Sequence, residues 1–457
     1  MTKTADSGII NGVFYKGELI LKCGFCELDI TPALGSIIPG DFAARYATDI
    51  LDPLCVRAVA FRNGEDDLAI ASVDACGITL DTTEKIRMRV AELSEIKPEN
   101  VMVMATHAHG AGPTLNWGEE VVIDEHYLRN LVEKVADAIV CAWKKAECSE
   151  LFLGNGEIDD ISFIRVYQMK DGSLKTNPGY KNVDKIDKPC STIDPELYVL
   201  AAKRNDEFVG GIVNFATHPA TIATTEITGD YISVLSRELK KNYGEQFVTV
   251  FVNGMCGDIN HINPFDENTY KDKYQTYKRV GKRIAETTIE ALKKAVLMDA
   301  DELQTLTSAV EVKFRKPDTE RLLWAKNWFD SLEDKLVESV PGSKNYWNTF
   351  FALQTLLIQS DKRTKRKIDL QVFKIGECFV FGNPCQMFVN FGKKIKKACG
   401  KNCFISAFAN DYAGYVPTPE CMKDGVYEAT LSPTSALEPL AGDIVADELI
   451  NMCKKMK

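Results

Sequence analysis

Histidine is scarce in this chain, with five among 457 residues. Clustered positive charge is scarce too. The formal net charge is −10 and the pI about 5.3. An acidic balance excludes nucleic acid or an anionic membrane surface as the main partner, because both demand grouped Lys and Arg. The few basic runs, such as Asp361-Lys-Arg-Thr-Lys-Arg-Lys367 and Lys393-Lys-Ile-Lys-Lys397, read as solvated helix faces and loop ends. No apolar run approaches the roughly 20 residues a membrane-spanning helix needs, so no stable membrane insertion is expected. The opening Met1-Thr-Lys-Thr-Ala-Asp-Ser7 lacks a basic patch ahead of an apolar core, which predicts no signal peptide. Internal repeats, low-complexity tracts and Pro/Gly/Ser-rich linkers are missing as well, and one catalytic domain over 1–457 is the expectation.

Cysteine is not scarce, but its 14 residues are scattered and form no zinc-ribbon quartet. Cys23-Gly-Phe-Cys26 is the one CxxC. It lies in a strand-like segment with no helix after it, whereas a thioredoxin-type site opens a helix. Free thiols in a reducing cytoplasm are predicted.

What is present is an alternation of short β-branched runs and amphipathic stretches. Val56–Phe61, Leu68–Val73, Val101–Met104, Leu151–Leu153, Leu197–Ala202, Gly211–Phe215, Phe247–Val252, Asp369–Phe373, Cys378–Phe381 and Cys403–Ala407 predict strands. Helical spacing covers 82–93, 124–145, 232–242, 271–295, 319–336, 343–358, 388–398 and 437–455. This is an α/β pattern of layered sheets flanked by helices. The polar stretch Lys170–Cys190 reads as an irregular loop near a site.

Four of the five histidines stand behind apolar runs. His107 and His109 lie in Ala105-Thr-His-Ala-His-Gly-Ala-Gly-Pro113, His218 in Phe215-Ala-Thr-His-Pro219, and His261 in Asn253-Gly-Met-Cys-Gly-Asp-Ile-Asn-His261. His126 has helical context and no motif, and reads as structural. Strand ends are where α/β folds place their sites. Imidazole is a preferred zinc donor, and His-x-His on an extended strand end turns both rings to one face. The pattern predicts a metal, with Asp74, Asp230 or Asp258 orienting a ring or serving as a base. Asp230 reads equally as a helix cap. Arg45 is a candidate for gripping a substrate carboxylate or phosphate. Cys256 reads as a buried thiol rather than a nucleophile.

The order of motifs resembles the catalytic domain of neutral, non-lysosomal ceramidases and their shorter bacterial relatives. It runs through Asp29-Ile-Thr-Pro32, Gly40-Asp-Phe-Ala-Ala-Arg45, Asp52-Pro-Leu-Cys-Val-Arg57, Thr106-His-Ala-His109 with Gly112-Pro113, Phe215-Ala-Thr-His-Pro219 with Thr228-Gly-Asp230, Gly257-Asp-Ile-Asn260, Asn410-Asp-Tyr-Ala-Gly-Tyr-Val-Pro-Thr-Pro419 and Val426-Tyr-Glu-Ala429. The resemblance implies a zinc amidase cleaving an N-acyl sphingoid base. It matches His107, His218 and Tyr415 to zinc ligands and sets His109 beside the metal, facing substrate. Where the family has a ligand Glu, this chain has Gln386 in Pro384-Cys-Gln386, a weaker neutral donor, so that either metal affinity falls or another group, Cys385 or an aspartate, compensates. The family serine before Gly-Asp is missing from Asn253-Gly-Met-Cys-Gly-Asp258, and neither the immunoglobulin-like domain nor the secretion signal of the larger ceramidases is expected here.

The expectation is a Zn2+-dependent hydrolase of an amide or ester in a small or amphiphilic substrate. Water is activated by the metal, and His109 first, His261 second, carries protons or stabilises the oxyanion. Asp258 and Arg45 complete the expected catalytic set, and His107, His218, Tyr415 and Gln386 the ligands. Two other readings stay open: a lapsed enzyme keeping the fold as a binding protein, and a metal hydrolase of a phosphoester or lactone.

Overall fold

A computed structural model describes residues 21–41, 43–64, 66–117, 121–300, 302–332 and 344–457. The Met1–Ser7 reading, Phe42, residues 333–336 of one expected helix and Ser343 of the next lie outside that set.

Three sheets form the frame. The first orders strands Val101–Ala105, Asp67–Val73, Cys55–Arg62, Lys22–Asp29 and Glu147–Cys148. Cys55–Arg62 is buried along six of its eight residues because it is covered on both faces. Helix Glu125–Lys144 covers one face, and Asp124 starts it by accepting from the backbone N–H groups of His126 and Tyr127. Leu128, Leu131, Val132, Val135 and Ile139 then fall on the inward stripe. Each such side chain, fully buried, contributes about 1.5–3 kcal/mol.

The second sheet orders Val248–Asn253, Glu207–Phe215, Glu196–Arg204, Glu150–Glu157 and Val296–Met298, under helices Tyr231–Tyr243 and Lys273–Lys293. The third orders Leu303–Lys313, Lys365–Ile375, Cys378–Gly382 and Cys403–Ser406, with helix Ala441–Met456 packed on its two long strands. Ile70 and Met102 of the first sheet, Ile212 and Val250 of the second, and Phe373 and Phe404 of the third share one apolar cluster.

The sheets are pinned together at the C-terminal ends of their parallel strands. Ala105 N–H donates to Phe408 O at 3.0 Å and Ala407 N–H to Asn253 O at 3.0 Å, while Gly254 N–H donates to Phe215 O at 2.9 Å within the second sheet. The Asn253 amide donates to Thr106 O at 3.0 Å. The residues after four strands are thereby drawn to one place, and two of them are His107 and His218.

Two readings need correction. Lys170–Cys190 is not one irregular loop: Leu174–Thr176 and Ile186–Pro189 pair on either side of Val166–Met169. Polar residues hide these strands because most of their side chains stay exposed or half-exposed. Leu303–Lys313 carries no strand prediction at all. It is an edge strand with mostly exposed or half-exposed residues, so Thr and Ser replace the apolar alternation.

Candidate metal centre

Strand Val101–Ala105 ends before the first histidine. His107 has φ 69°, a left-handed conformation uncommon for a residue with a Cβ. The two rings of His-x-His therefore converge because the chain turns at His107, not because an extended strand alternates. Phe408, also left-handed at φ 62°, stacks on the His107 ring at 4.0 Å and 8°.

Each of three imidazoles gives its Nδ1 to a backbone carbonyl. His107 reaches Cys76 O at 2.6 Å, His109 reaches Gly40 O at 2.9 Å, and His218 reaches Cys256 O at 3.3 Å. A carbonyl only accepts, so Nδ1 carries the proton and Nε2 the lone pair. The Nε2 atoms then meet: His107 to His109 at 3.4 Å, and His109 to His218 at 3.2 Å. The His107 and His218 ring centroids are 4.9 Å apart. Burial keeps all three neutral, holding His107 at about 3 and the other two well below the usual imidazole value. The Arg165 charge pushes each the same way.

Imidazole lone pairs brought this close repel unless a cation or a hydrogen-bond donor meets them. Nitrogens bound at 2.0–2.1 Å to a tetrahedral ion stand about 3.3–3.4 Å apart. The observed 3.2 and 3.4 Å separations fit a zinc-sized ion. Cys76, His107 and His109 also offer donor atoms all within 4.8 Å of one another. In that grouping the Cys76 sulfur lies 3.8 Å from Nδ1 of His107, on the ring edge already committed to Cys76 O. Burial also raises its thiol pKa, against thiolate formation. The inward-facing Nε2 atoms are the better-oriented donors.

Gln386 and Tyr415 are paired residues on the parallel strands Cys385–Met387 and Gly414–Val416, which puts them on one face. Cys385 alternates to the other face and sits in the core, its thiol pushed up to about 12 by burial. The Gln386 amide nitrogen lies 3.0 Å from His107 Nε2. Tyr415 accepts from Arg165 at 3.1 Å, and burial raises its pKa, so the phenol stays protonated. Arg165 is held by fully buried Glu428 at 2.6 Å and by Gly257 O at 2.6 Å.

The remaining expected residues stand further out. Asp258 accepts from Val389 N–H at 2.7 Å and so starts helix Val389–Cys399; burial pushes it up to about 7. Arg45 donates to Thr224 O, Pro39 O and His109 O at 2.7–2.8 Å, which makes it a clamp on the loops around His109. His261 is buried, and burial holds its imidazole at about 4. Asp74 is paired with Arg57 at 3.0 Å, and Asp230 caps helix Tyr231–Tyr243. The Cys256 thiol, pushed up to about 12 by burial, is no ready nucleophile. Arg165, Glu428 and Tyr412 went unassigned from sequence, although Tyr412 and Glu428 fall within motifs quoted above.

No protein-family model matches the chain, and no curated protein matches it in sequence. Solved structures do. The neutral ceramidase from Pseudomonas aeruginosa superposes with a TM-score of 0.73 at 19% identity, over 96% of this chain and 75% of that one. A ceramidase complexed with C2 superposes with a TM-score of 0.72 at 19% identity, with the same coverage. The chain thus has the neutral ceramidase fold. Among the described residues, no helix is long and apolar enough to cross a membrane.

Proposed function

We propose that the protein is a zinc-dependent hydrolase of an amide, or ester, bond in a small or amphiphilic substrate. The supporting observation is the approach of His109 Nε2 to His107 Nε2 at 3.4 Å and to His218 Nε2 at 3.2 Å, each ring fixed from behind by a backbone carbonyl. His107, His109 and His218 would hold the ion. When bound, zinc supplies Lewis acidity and brings the pKa of water down to about 7.

The chain's own groups do the rest. The carbonyls of Cys76, Gly40 and Cys256 keep the three rings in the tautomer that points Nε2 inward. Tyr415 receives a hydrogen bond from Arg165 and keeps its own proton, through which it would hydrogen-bond the carbonyl oxygen as negative charge grows there. Glu428 holds Arg165 in place and balances its charge. Exposed Tyr427, edge-on to Tyr415 at 5.8 Å, offers an aromatic wall to an apolar chain on the substrate.

The test is turnover of N-acyl sphingoid bases, short N-acyl amines and matched esters by zinc-loaded protein, beside the His107→Ala and His218→Ala variants. Hydrolysis that disappears with the metal in both variants supports the reading. Equal turnover by the variants contradicts it. One observation favours a second reading, a fold kept for binding without catalysis: the site holds neutral Gln386 in place of a carboxylate. Stoichiometric zinc with no turnover of any of these substrates would select that reading.

A further inference from the structure

We propose that Tyr412 holds Gln386 as a hydrogen-bond donor to His107, so that this amide guards a metal-binding nitrogen instead of serving as an oxygen ligand. The inference rests on the metal reading above and adds to it a positioning residue, Tyr412.

The argument starts at Cys76. Its carbonyl lies 2.6 Å from His107 Nδ1 and can only accept, so the ring proton is there and Nε2 is an acceptor. The Gln386 amide nitrogen is 3.0 Å from that Nε2. An amide oxygen in its place would set two acceptors against each other. The nitrogen is therefore the atom the imidazole selects. At the other end of the amide, the Tyr412 hydroxyl donates to Oε1 at 3.2 Å. Polarity thus runs one way, from Tyr412 O–H through Gln386 and His107 to the Cys76 carbonyl. Gln386 and His107 are both fully buried, so reversing a link would leave a donor or acceptor unpaired away from water. Tyr412 is itself fixed by its ring, stacked with His107 at 6.3 Å and with Phe408 at 6.4 Å.

The consequence concerns affinity. The lone pair that an ion needs on His107 is already engaged by the Gln386 N–H, and the oxygen that would suit an ion is tethered away from it. An incoming ion must break one buried hydrogen bond. Sequence pattern gives no hint of this, because Gln386 is legible only as a substitute ligand.

The test is zinc affinity, read by competition with a chromophoric chelator, for wild type, Gln386→Met, Tyr412→Phe and the double variant. Tyr412→Phe keeps the stacked ring and removes only the hydroxyl, so it carries the test if Gln386→Met folds poorly. Gln386→Met should bind zinc about 2- to 10-fold tighter, the worth of one hydrogen bond. Tyr412→Phe should shift in the same direction, and the double variant should bind no tighter than Gln386→Met. Weaker zinc binding by Gln386→Met would overturn the inference alone, by showing the amide to be a ligand. An unchanged affinity in Tyr412→Phe would overturn the role of Tyr412. Failure of every form to bind zinc, wild type included, would overturn the metal reading and this inference with it.

Discussion

At the scale of single residues, the candidate site depends on which atom each side chain turns inward. Removing a nitrogen should do more than removing an outer partner, which typically costs 10- to 100-fold in metal affinity. His107→Ala and His218→Ala are each expected to lower zinc affinity by at least about a hundredfold, read by chelator competition. Gly40 gives a subtler test. It sits at φ 99°, and a Cβ there would lie 2.7 Å from the His109 ring. Gly40→Ala should cost about 1–2 kcal/mol from the left-handed backbone alone, and should weaken zinc binding by displacing His109. A melting temperature and zinc affinity equal to wild type would contradict that. The scarce histidines made His107, His109 and His218 legible, since each follows an apolar run. Arg45 was legible as a cation beside the site but not in its task. Its partners are backbone carbonyls from three loops, which leave no trace in side-chain identity.

At the scale of elements, strand ends carry the chemistry and caps set their geometry. Asp230 shows how. Its carboxylate accepts from Thr221 Oγ1 at 2.6 Å, Thr221 N–H at 2.9 Å, Ile222 N–H at 3.3 Å and Tyr231 N–H at 2.7 Å. It therefore begins a helix and ties down the segment just after His218. Asp230→Ala leaves three buried N–H groups unpaired and should lower stability by about 2–4 kcal/mol, measured by urea titration. A loss below about 0.5 kcal/mol, the ordinary effect of a surface substitution, would contradict this. Elements buried on both faces, such as Cys55–Arg62 and Val248–Asn253, could be read from continuous apolar runs. Elements that lie at an edge, such as Leu303–Lys313, or between polar loops, such as Ile186–Pro189, could not, because burial rather than backbone preference writes the apolar pattern.

At the scale of the molecule, buried titratable groups link stability to pH. His107 at about 3, His261 at about 4, and His109 and His218 well below normal all stay neutral in the folded chain because they are buried. Unfolding returns them to about 6.5. Between those values the unfolded state binds more protons, so stability falls as the pH drops from about 6.5 toward 4. Asp230 at about 6, Asp258 at about 7 and Asp74, all raised by burial, act in the opposite sense, since the folded state binds their protons first. Four imidazoles outweigh three carboxyls. Metal-free protein should melt at a lower temperature at pH 5 than at pH 7.5, and an equal or higher value at pH 5 would refute the balance. The layered α/β frame was legible from alternation alone. How three sheets meet at their strand ends was not, because the links are single hydrogen bonds such as Ala407 N–H to Asn253 O, made between backbone atoms that every residue has.

X-ray absorption at the zinc edge of the purified, zinc-loaded protein tests the central claim most directly. One ion per chain with only nitrogen and oxygen neighbours, at about 2.0–2.1 Å, is predicted, with the signal lost in His107→Ala. A sulfur neighbour at about 2.3 Å would move the ion to Cys76, and absence of stoichiometric metal would leave the three imidazoles without the cation proposed for them.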